Sequence, residues 1–125
     1  PHAKRLLDIG CGAGNQTIKT LRIINGLDCD LIDLSLPMLE KARERISREA
    51  SGKIHLLQGD LRQIDLGTER YDIVLAAAVL HHLREGADWK HVFKKIYTAI
   101  RFNGSFWISD MVFHELPEIQ KLIWK

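Results

Sequence analysis

Cysteine, proline and long apolar runs are scarce in this sequence. Its 125 residues include two cysteines and three prolines, and Cys11 and Cys29 form no C-x-x-C or Cys/His cluster of the kind that binds zinc. One possible pair makes no disulfide framework, so we interpret both as reduced thiols of a cytoplasmic protein. No apolar stretch approaches the roughly 20 residues that span a bilayer, so the sequence predicts no membrane helix.

The sequence does not begin with methionine, and its first residues do not predict a secretory leader. Residues 1–5 run directly into a strand-like segment, without the apolar region of a signal peptide. We expect residues 1–125 to form one domain, and we expect that domain to be a trimmed part of a longer chain.

A strong charge of either sign is absent as well. Eighteen Lys and Arg residues oppose sixteen Asp and Glu residues, for a net charge of +2. A nucleic-acid partner is therefore not expected, because the phosphate backbone selects a strongly basic surface. No His, Cys, Asp or Glu spacing matches a metal site. With 46% hydrophobic and 27% charged residues, the composition is that of a globular domain.

Short apolar runs of strand length alternate with longer stretches of helical period. The clearest helix runs from Trp89 to Ile100, and we expect Asn103-Gly104 to end it. Ser35 is the expected cap of an earlier helix. Such alternation predicts an α/β fold with an open, mostly parallel twisted sheet flanked by helices. The predicted strands are 5–9, 29–34, 53–58, 71–78 and 105–109, and the predicted helices are 16–24, the one after Ser35, 89–100 and 112–125.

A glycine-rich turn follows the first strand, where Asp8, Gly10, Gly12 and Gly14 form the pattern D-x-G-x-G-x-G. Glycines permit positive φ angles and close approach of a ligand to the backbone. The helix that follows offers free N–H groups. Dinucleotide-binding proteins have G-x-G-x-x-G, with a pyrophosphate on the helix. The shorter spacing, with an acid that would repel a pyrophosphate, disfavours an NAD(P)-dependent oxidoreductase.

Three further motifs follow this turn in order. Asp33 comes nineteen residues after Gly14, Gly59-Asp60-Leu61 ends the third strand, and Tyr71-Asp72-Ile73-Val74 precedes His81-His82-Leu83. Together the four motifs resemble those of class I S-adenosylmethionine (SAM)-dependent methyltransferases. The resemblance implies a Rossmann-like sheet of seven strands, of which the last β-hairpin is expected to be missing here. It also implies SAM as the cofactor and S-adenosylhomocysteine as the product.

The resemblance implies roles for particular residues. Asp33 would hold both ribose hydroxyls, Leu34 and Met38 would pack on the adenine, Asp60 would bond the adenine amino group, and Leu61 would offer its backbone N–H. The other residues expected at the cofactor are Asp8, Gly10, Cys11, Gly12, Asn15, Ala76 and Ala77. Asp33 and Asp60 can instead be plain turn residues, and Asp8 either contacts the SAM ammonium or caps the amides of the loop.

No residue is assigned a catalytic role from the sequence. The SAM sulfonium carries its own leaving group, so the expected task of the protein is to bind and orient the reactants. His81, His82, Asp110 and His114 are only candidates for a general base, on the side of the sheet where ligands bind.

The residues after the fourth strand bear on the methyl acceptor. Relatives that methylate planar amino groups carry (D/N)-P-P-(Y/F) there, whereas residues 76–79 are Ala-Ala-Ala-Val. We therefore expect direct in-line methyl transfer to a small-molecule O-, N- or C-acceptor. The alternatives are a SAM-binding module or accessory subunit without turnover and, less favoured, an RNA methyltransferase or an NAD(P)-dependent oxidoreductase. The oligomeric state is not predicted.

Overall fold

Five strands and three helices make up the fold of the residues described by the computed structural model, 3–49, 52–76 and 86–108, and they alternate except that no helix separates the third strand from the fourth. The strands are β1 (Arg5–Ile9), β2 (Asp28–Asp33), β3 (Ile54–Gln58), β4 (Tyr71–Ala76) and β5 (Ile100–Ile108). The helices are α1 (Asn15–Ile23), α2 (Leu36–Ser47) and α3 (Gly86–Ala99). The predicted α/β class is confirmed; the predicted helix 112–125 and the end of the predicted strand 71–78 lie outside the described residues.

All strand pairs of the sheet are parallel, in the order β3-β2-β1-β4-β5. The chain proceeds from β1 outward to β3 and then crosses back to place β4 on the other side of β1. Asp8 consequently has Leu31 of β2 on one side and Leu75 of β4 on the other. In open α/β sheets, ligands bind beyond the carboxyl ends of the strands at such a reversal of strand order. The carboxyl end of β1 is therefore the expected location of a site.

Both faces of the central strand β1 are buried, because successive strand residues point to opposite sides and each side is covered. Leu6 belongs to a core on the face covered by α1 and α2, and Leu7 to a core on the face covered by α3 and the segment 59–67. Both side chains are completely buried. Near-continuous apolarity is what strands buried on both faces require.

The start of α2 follows the sequence prediction. The Ser35 hydroxyl accepts a hydrogen bond from the Met38 N–H at 3.3 Å, and Pro37 lies in the first turn, where its missing N–H costs nothing. Helix α1 begins at Asn15, one residue earlier than predicted, after Gly14 with φ of +87°.

The predicted end of α3 is wrong. The helix ends at Ala99, and Ile100 is already the first residue of β5, paired with Tyr71. Residues 101–104 face Asp72 alone before the regular register resumes at Ser105, so Asn103-Gly104 lies in an irregularity of β5. Asn103 has φ of +69°, the left-handed conformation that Asn tolerates. Ile100 is in phase with the apolar face of α3, which explains the misassignment, but pairing with β4 decides its structure.

Candidate cofactor-binding site

The glycine turn is held against β2 by its own backbone. The N–H groups of Gly10 and Cys11 both donate to the carbonyl of Ile32, at 2.8 and 3.0 Å. Gly10, Gly12 and Gly14 have φ angles of +67°, +53° and +87°, all in the left-handed region. Because L side chains rarely adopt this conformation, the three glycines are required by the shape of the turn.

Two of these glycines also serve different packing purposes. A Cβ added to Gly14 would lie 2.8 Å from Cδ1 of Ile46, so Gly14 lets α1 approach α2 closely. A Cβ added to Gly12 would find its nearest neighbour, Cε of Met38, at an ordinary 3.8 Å. Gly12 therefore leaves room on the turn for a ligand rather than for another element of the fold.

Asp33, at the end of β2, joins this turn to the start of α2. Its Oδ2 accepts the Gly12 N–H and its Oδ1 accepts the Ser35 N–H, both at 2.9 Å. An ionised carboxylate has about four acceptor positions, and these two amides occupy one on each oxygen. Asp33 thus acts as a turn residue and keeps acceptor capacity on both oxygens, enough for a pair of hydroxyl groups.

Asp8 is the buried acid at the base of the turn, with 1% of its surface exposed. Its Oδ2 accepts the hydroxyl of Thr17 in α1 at 2.6 Å, whereas Oδ1 has no partner among the described residues. Burial, with the nearby charge of Asp33 adding to it, raises the pKa of Asp8 to about 7. A buried oxygen without a partner is costly, and a cationic group would both satisfy it and favour the ionised carboxylate.

Large apolar side chains are exposed at the start of α2. Leu34 is 68% exposed and Met38 is 36% exposed, with Leu36 between them at 43%. The methyl group of Met38 lies beside Gly12, as the distance above shows. Met38 therefore borders the glycine turn, and Leu34 directly follows Asp33; both offer exposed apolar surface that a planar ring could cover.

Asp60 lies in a turn after β3 and is already engaged. Arg62 donates to Asp60 Oδ2 through Nη2 at 2.6 Å and to Oδ1 through its backbone N–H at 2.9 Å. The side-chain hydrogen bond from Arg62 lowers the pKa of this partly exposed carboxyl. The next residue, Leu61, is buried in the core under α3. Sequence reasoning did not identify Arg62, whose spacing from Asp60 is typical of any exposed turn.

Arg45 of α2 is a second residue that the sequence did not reveal. Its Nη1 donates to the carbonyl of Ala13 at 2.7 Å and to Oδ1 of Asn15 at 2.8 Å. The side chain of Asn15 is therefore used in holding the glycine turn to α2. Nothing in the spacing of 32 residues between Ala13 and Arg45 could have predicted this contact.

Cys11 and Ala76 are placed in the core. Cys11 is 7% exposed and contacts the carbonyl of Gly12 through its thiol at 3.4 Å. Burial raises the pKa of the Cys11 thiol to about 12, so it is not a thiolate nucleophile near neutral pH. Ala76 is 2% exposed at the end of β4, between Ile9 and Ile108 of the neighbouring strands.

Five other predicted residues fall outside the described ranges, namely Ala77, His81, His82, Asp110 and His114. Within residues 3–49, 52–76 and 86–108, no group of three His, Cys, Asp or Glu side chains could hold a metal ion. Over the same ranges, no helix has the length and apolarity needed to cross a membrane.

The parallel sheet, the strand reversal beside β1 and the glycine turn define a Rossmann-like α/β protein with a candidate ligand site at the carboxyl end of β1. A methyltransferase domain family matches residues 6–104. The chain belongs to this family and has the fold of class I SAM-dependent methyltransferases.

Individual relatives agree with this assignment. The chain is 28% identical over 126 residues to a carboxy-S-adenosyl-L-methionine synthase of Shewanella piezotolerans, covering 98% of this chain and 50% of the relative. It is 27% identical over 99 residues to a magnesium-protoporphyrin O-methyltransferase of Rhodobacter capsulatus, covering 78% of this chain and 43% of the relative. A SAM-dependent methyltransferase structure from Clostridium acetobutylicum shares the fold, with a TM-score of 0.74 at 20% identity over 93% of this chain and 46% of that one. The chain thus spans about half the length of the curated relatives it matches.

Proposed function

We propose that this chain binds SAM at the carboxyl ends of β1, β2 and β3 and presents its methyl group to a small-molecule acceptor. The observation that carries the proposal is the pair of acids around the glycine turn. Asp8 has a buried oxygen without a described partner, and Asp33 is fixed by two amides yet keeps free acceptor positions. These two groups fit the cationic and diol ends of one elongated ligand.

Each acid has a distinct task in this proposal. Asp33 accepts hydrogen bonds from both ribose hydroxyls, since its two oxygens are held side by side by Gly12 and Ser35. Asp8 receives the ammonium of the methionine moiety at Oδ1, and Thr17 holds the other oxygen in place. The apolar surface of Leu34 and Met38 covers the adenine, and the open backbone at Gly12 lets the ligand lie close to the turn.

When bound, SAM supplies an activated methyl group on a sulfonium, and the sulfur leaves as the neutral thioether of S-adenosylhomocysteine. The residues of the chain then need only orient the ligand and exclude water. Fixed orientation of reactants is worth about 7–11 kcal/mol. That task suits a site of backbone amides, two carboxylates and apolar side chains.

A small-molecule O-, N- or C-acceptor is supported by the name of the magnesium-protoporphyrin relative and by the missing amino-methylation motif. A second candidate is synthesis of carboxy-S-adenosyl-L-methionine, supported by the relative that matches 98% of the chain. We also propose a cytoplasmic location, because Cys11 and Cys29 are both free thiols in the core.

Calorimetric titration with S-adenosylhomocysteine, SAM and NAD tests the cofactor. We expect the first two to bind and NAD not to bind; tight NAD binding without a response to S-adenosylhomocysteine would overturn the proposal. Mass spectrometry of SAM incubated with candidate methyl acceptors, and separately with candidate carboxyl-donating acids, then separates the two activities. A methylated acceptor supports methyl transfer, a carboxylated SAM supports the second candidate, and binding without either product indicates a SAM-binding module.

A further inference from the structure

Lys95 of α3 reaches across to the turn that follows β3. Its Nζ donates to the carbonyl of Leu61 at 2.8 Å and to the carbonyl of Ile64. Neither contact involves the side chains that carry the proposed adenine recognition. The lysine therefore contacts the backbone carbonyls of the turn and not its ligand-facing side chains.

The same turn is tied down at two other places. The carbonyl of Asp60 accepts the N–H groups of Gln63 and Ile64 at 2.9 and 3.1 Å, which closes the turn on itself. The Gly59 N–H donates to the carbonyl of Asp33 at 3.1 Å, which joins the turn to the end of β2. Because Lys95 binds the carbonyls of Leu61 and Ile64, the turn that contains Asp60 and Leu61 is joined both to the end of β2 and to α3.

Lys95 is partly buried and is not a solvated surface lysine. Val92 and Ile96 on the same helix are fully buried in the apolar core that also contains Leu61 and Leu66, so the stem of Lys95 leaves the helix beside that core. Desolvation by burial lowers the pKa of its ammonium. Two carbonyl acceptors replace the water that the ammonium gives up there.

We propose that Lys95 is a positioning residue for adenine recognition: by holding the carbonyls of Leu61 and Ile64, it sets where the Asp60 carboxylate and the Leu61 N–H face the ligand. This inference rests on the proposed SAM site. Helix α3 contributes no predicted cofactor contact. In this proposal, α3 nevertheless affects how selectively the site binds adenine.

The test compares two nucleosides in the full chain. S-adenosylhomocysteine carries the adenine amino group, and S-inosylhomocysteine has a carbonyl oxygen in its place. We expect wild-type protein to prefer the former by at least about tenfold, as for hydrogen bonds to charged groups. In Lys95→Met the preference should fall to about threefold or less, and Lys95→Arg, which keeps N–H donors, should restore most of it. Lys94→Met, at an exposed neighbouring position, is the matched control and should match wild type.

A merely structural lysine would weaken both nucleosides equally and leave their ratio unchanged, and that result would overturn the inference. Amide exchange in the ligand-free protein gives an independent reading, since loss of Lys95 should speed exchange at Gln63 and Ile64. If Lys95→Met does not fold, Lys95→Leu, which also lacks N–H donors, replaces it with the same expected fall in preference. Wild-type protein that binds neither nucleoside would instead contradict the proposed function itself.

Discussion

The two walls of the candidate site are held in different ways. The glycine turn, Asp33 and Asp8 form the first wall, where backbone amides donate to the Ile32 carbonyl and to the Asp33 carboxylate. The turn at 59–64 forms the second wall, where the side chains of Arg62 and Lys95 make the contacts beside the ligand-facing groups. Arg45 adds a side-chain contact to the first wall, and the Gly59 N–H adds a backbone bond to the second. The walls therefore differ in which kind of contact predominates.

This difference indicates which parts of the site tolerate amino-acid substitutions. Backbone bonds next to a parallel strand persist through most side-chain changes, so the first wall depends on a few positions that permit its geometry. Long charged side chains lose rotamer freedom when they are ordered, and exposed ion pairs contribute about 0–1 kcal/mol. We therefore expect mutations in the first wall to change stability and binding strongly, and those in the second to change recognition more than stability.

The sharpest test of the first wall is the pH dependence set by Asp8. Its pKa is raised to about 7 in the fold from 3.8, so the folded state binds a proton that the unfolded state releases between these values. The stability contribution is therefore complete below pH 3.8 and is lost as the pH rises through about 7. The difference between a pKa of 3.8 and one of about 7 corresponds to ~4 kcal/mol of folding stability.

Urea unfolding of wild type and Asp8→Asn at several pH values measures this loss. The wild-type free energy of unfolding should fall relative to that of Asp8→Asn as the pH increases from 4 to 7. A constant difference between the two proteins would show that Asp8 is ionised throughout and that its unpartnered oxygen is not desolvated.

The glycines of the first wall should separate stability from binding. Gly14→Ala forces a side chain into the left-handed region and against Ile46, and we expect a loss of about 2–5 kcal/mol. Gly12→Ala should cost only about 1–2 kcal/mol for its conformation but should weaken S-adenosylhomocysteine binding. Adding Ile46→Val, which removes the nearest atom, should recover part of the Gly14→Ala loss. Equal effects of the two alanines on both properties would contradict the division of tasks.

Asp33→Asn tests the ribose role within the first wall. We expect binding of S-adenosylhomocysteine to weaken by about 1.5–3 kcal/mol, because an amide replaces a charged acceptor. Asp65→Asn is a matched control, since Asp65 accepts the Gly67 N–H at 2.9 Å in the same kind of turn. If calorimetry gives equal affinities for both variants, Asp33 is a turn residue only.

Arg62→Ala probes the second wall and should have the smallest effect. The hydrogen bond from Arg62 lowers the pKa of Asp60, so its removal should raise that pKa towards the ordinary value, as NMR titration would record. The free energy of unfolding should change by less than about 1 kcal/mol. Arg48→Ala, which removes an exposed pair with Glu44, is the control for stability. A larger loss of unfolding free energy would show that Arg62 stabilises the fold, as the contacts of the first wall do.

Much of the fold could be predicted because its signals are local. The buried strands β1 and β4, the Ser35 cap and the glycine spacing depend on neighbouring residues. The end of α3 could not be predicted, because Ile100 continues the helical period and only its pairing with Tyr71 makes it a strand residue. The contact between Lys95 and Leu61 joins residues 34 positions apart. No periodicity carries that information, since a lysine on a helix is usually solvated.

The sequence by itself determined the α/β class, the position of the glycine turn and the order of the acids that follow the strands. These features follow from backbone conformation and from the repeat of apolar residues, which short segments already contain. Only the tertiary structure decided that Asp8 is buried with one oxygen unpartnered, that Asp33 keeps acceptor capacity, and that Asp60 is engaged by Arg62. Burial and long-range hydrogen bonds decide the chemistry of an acid, and both depend on which distant elements pack around it.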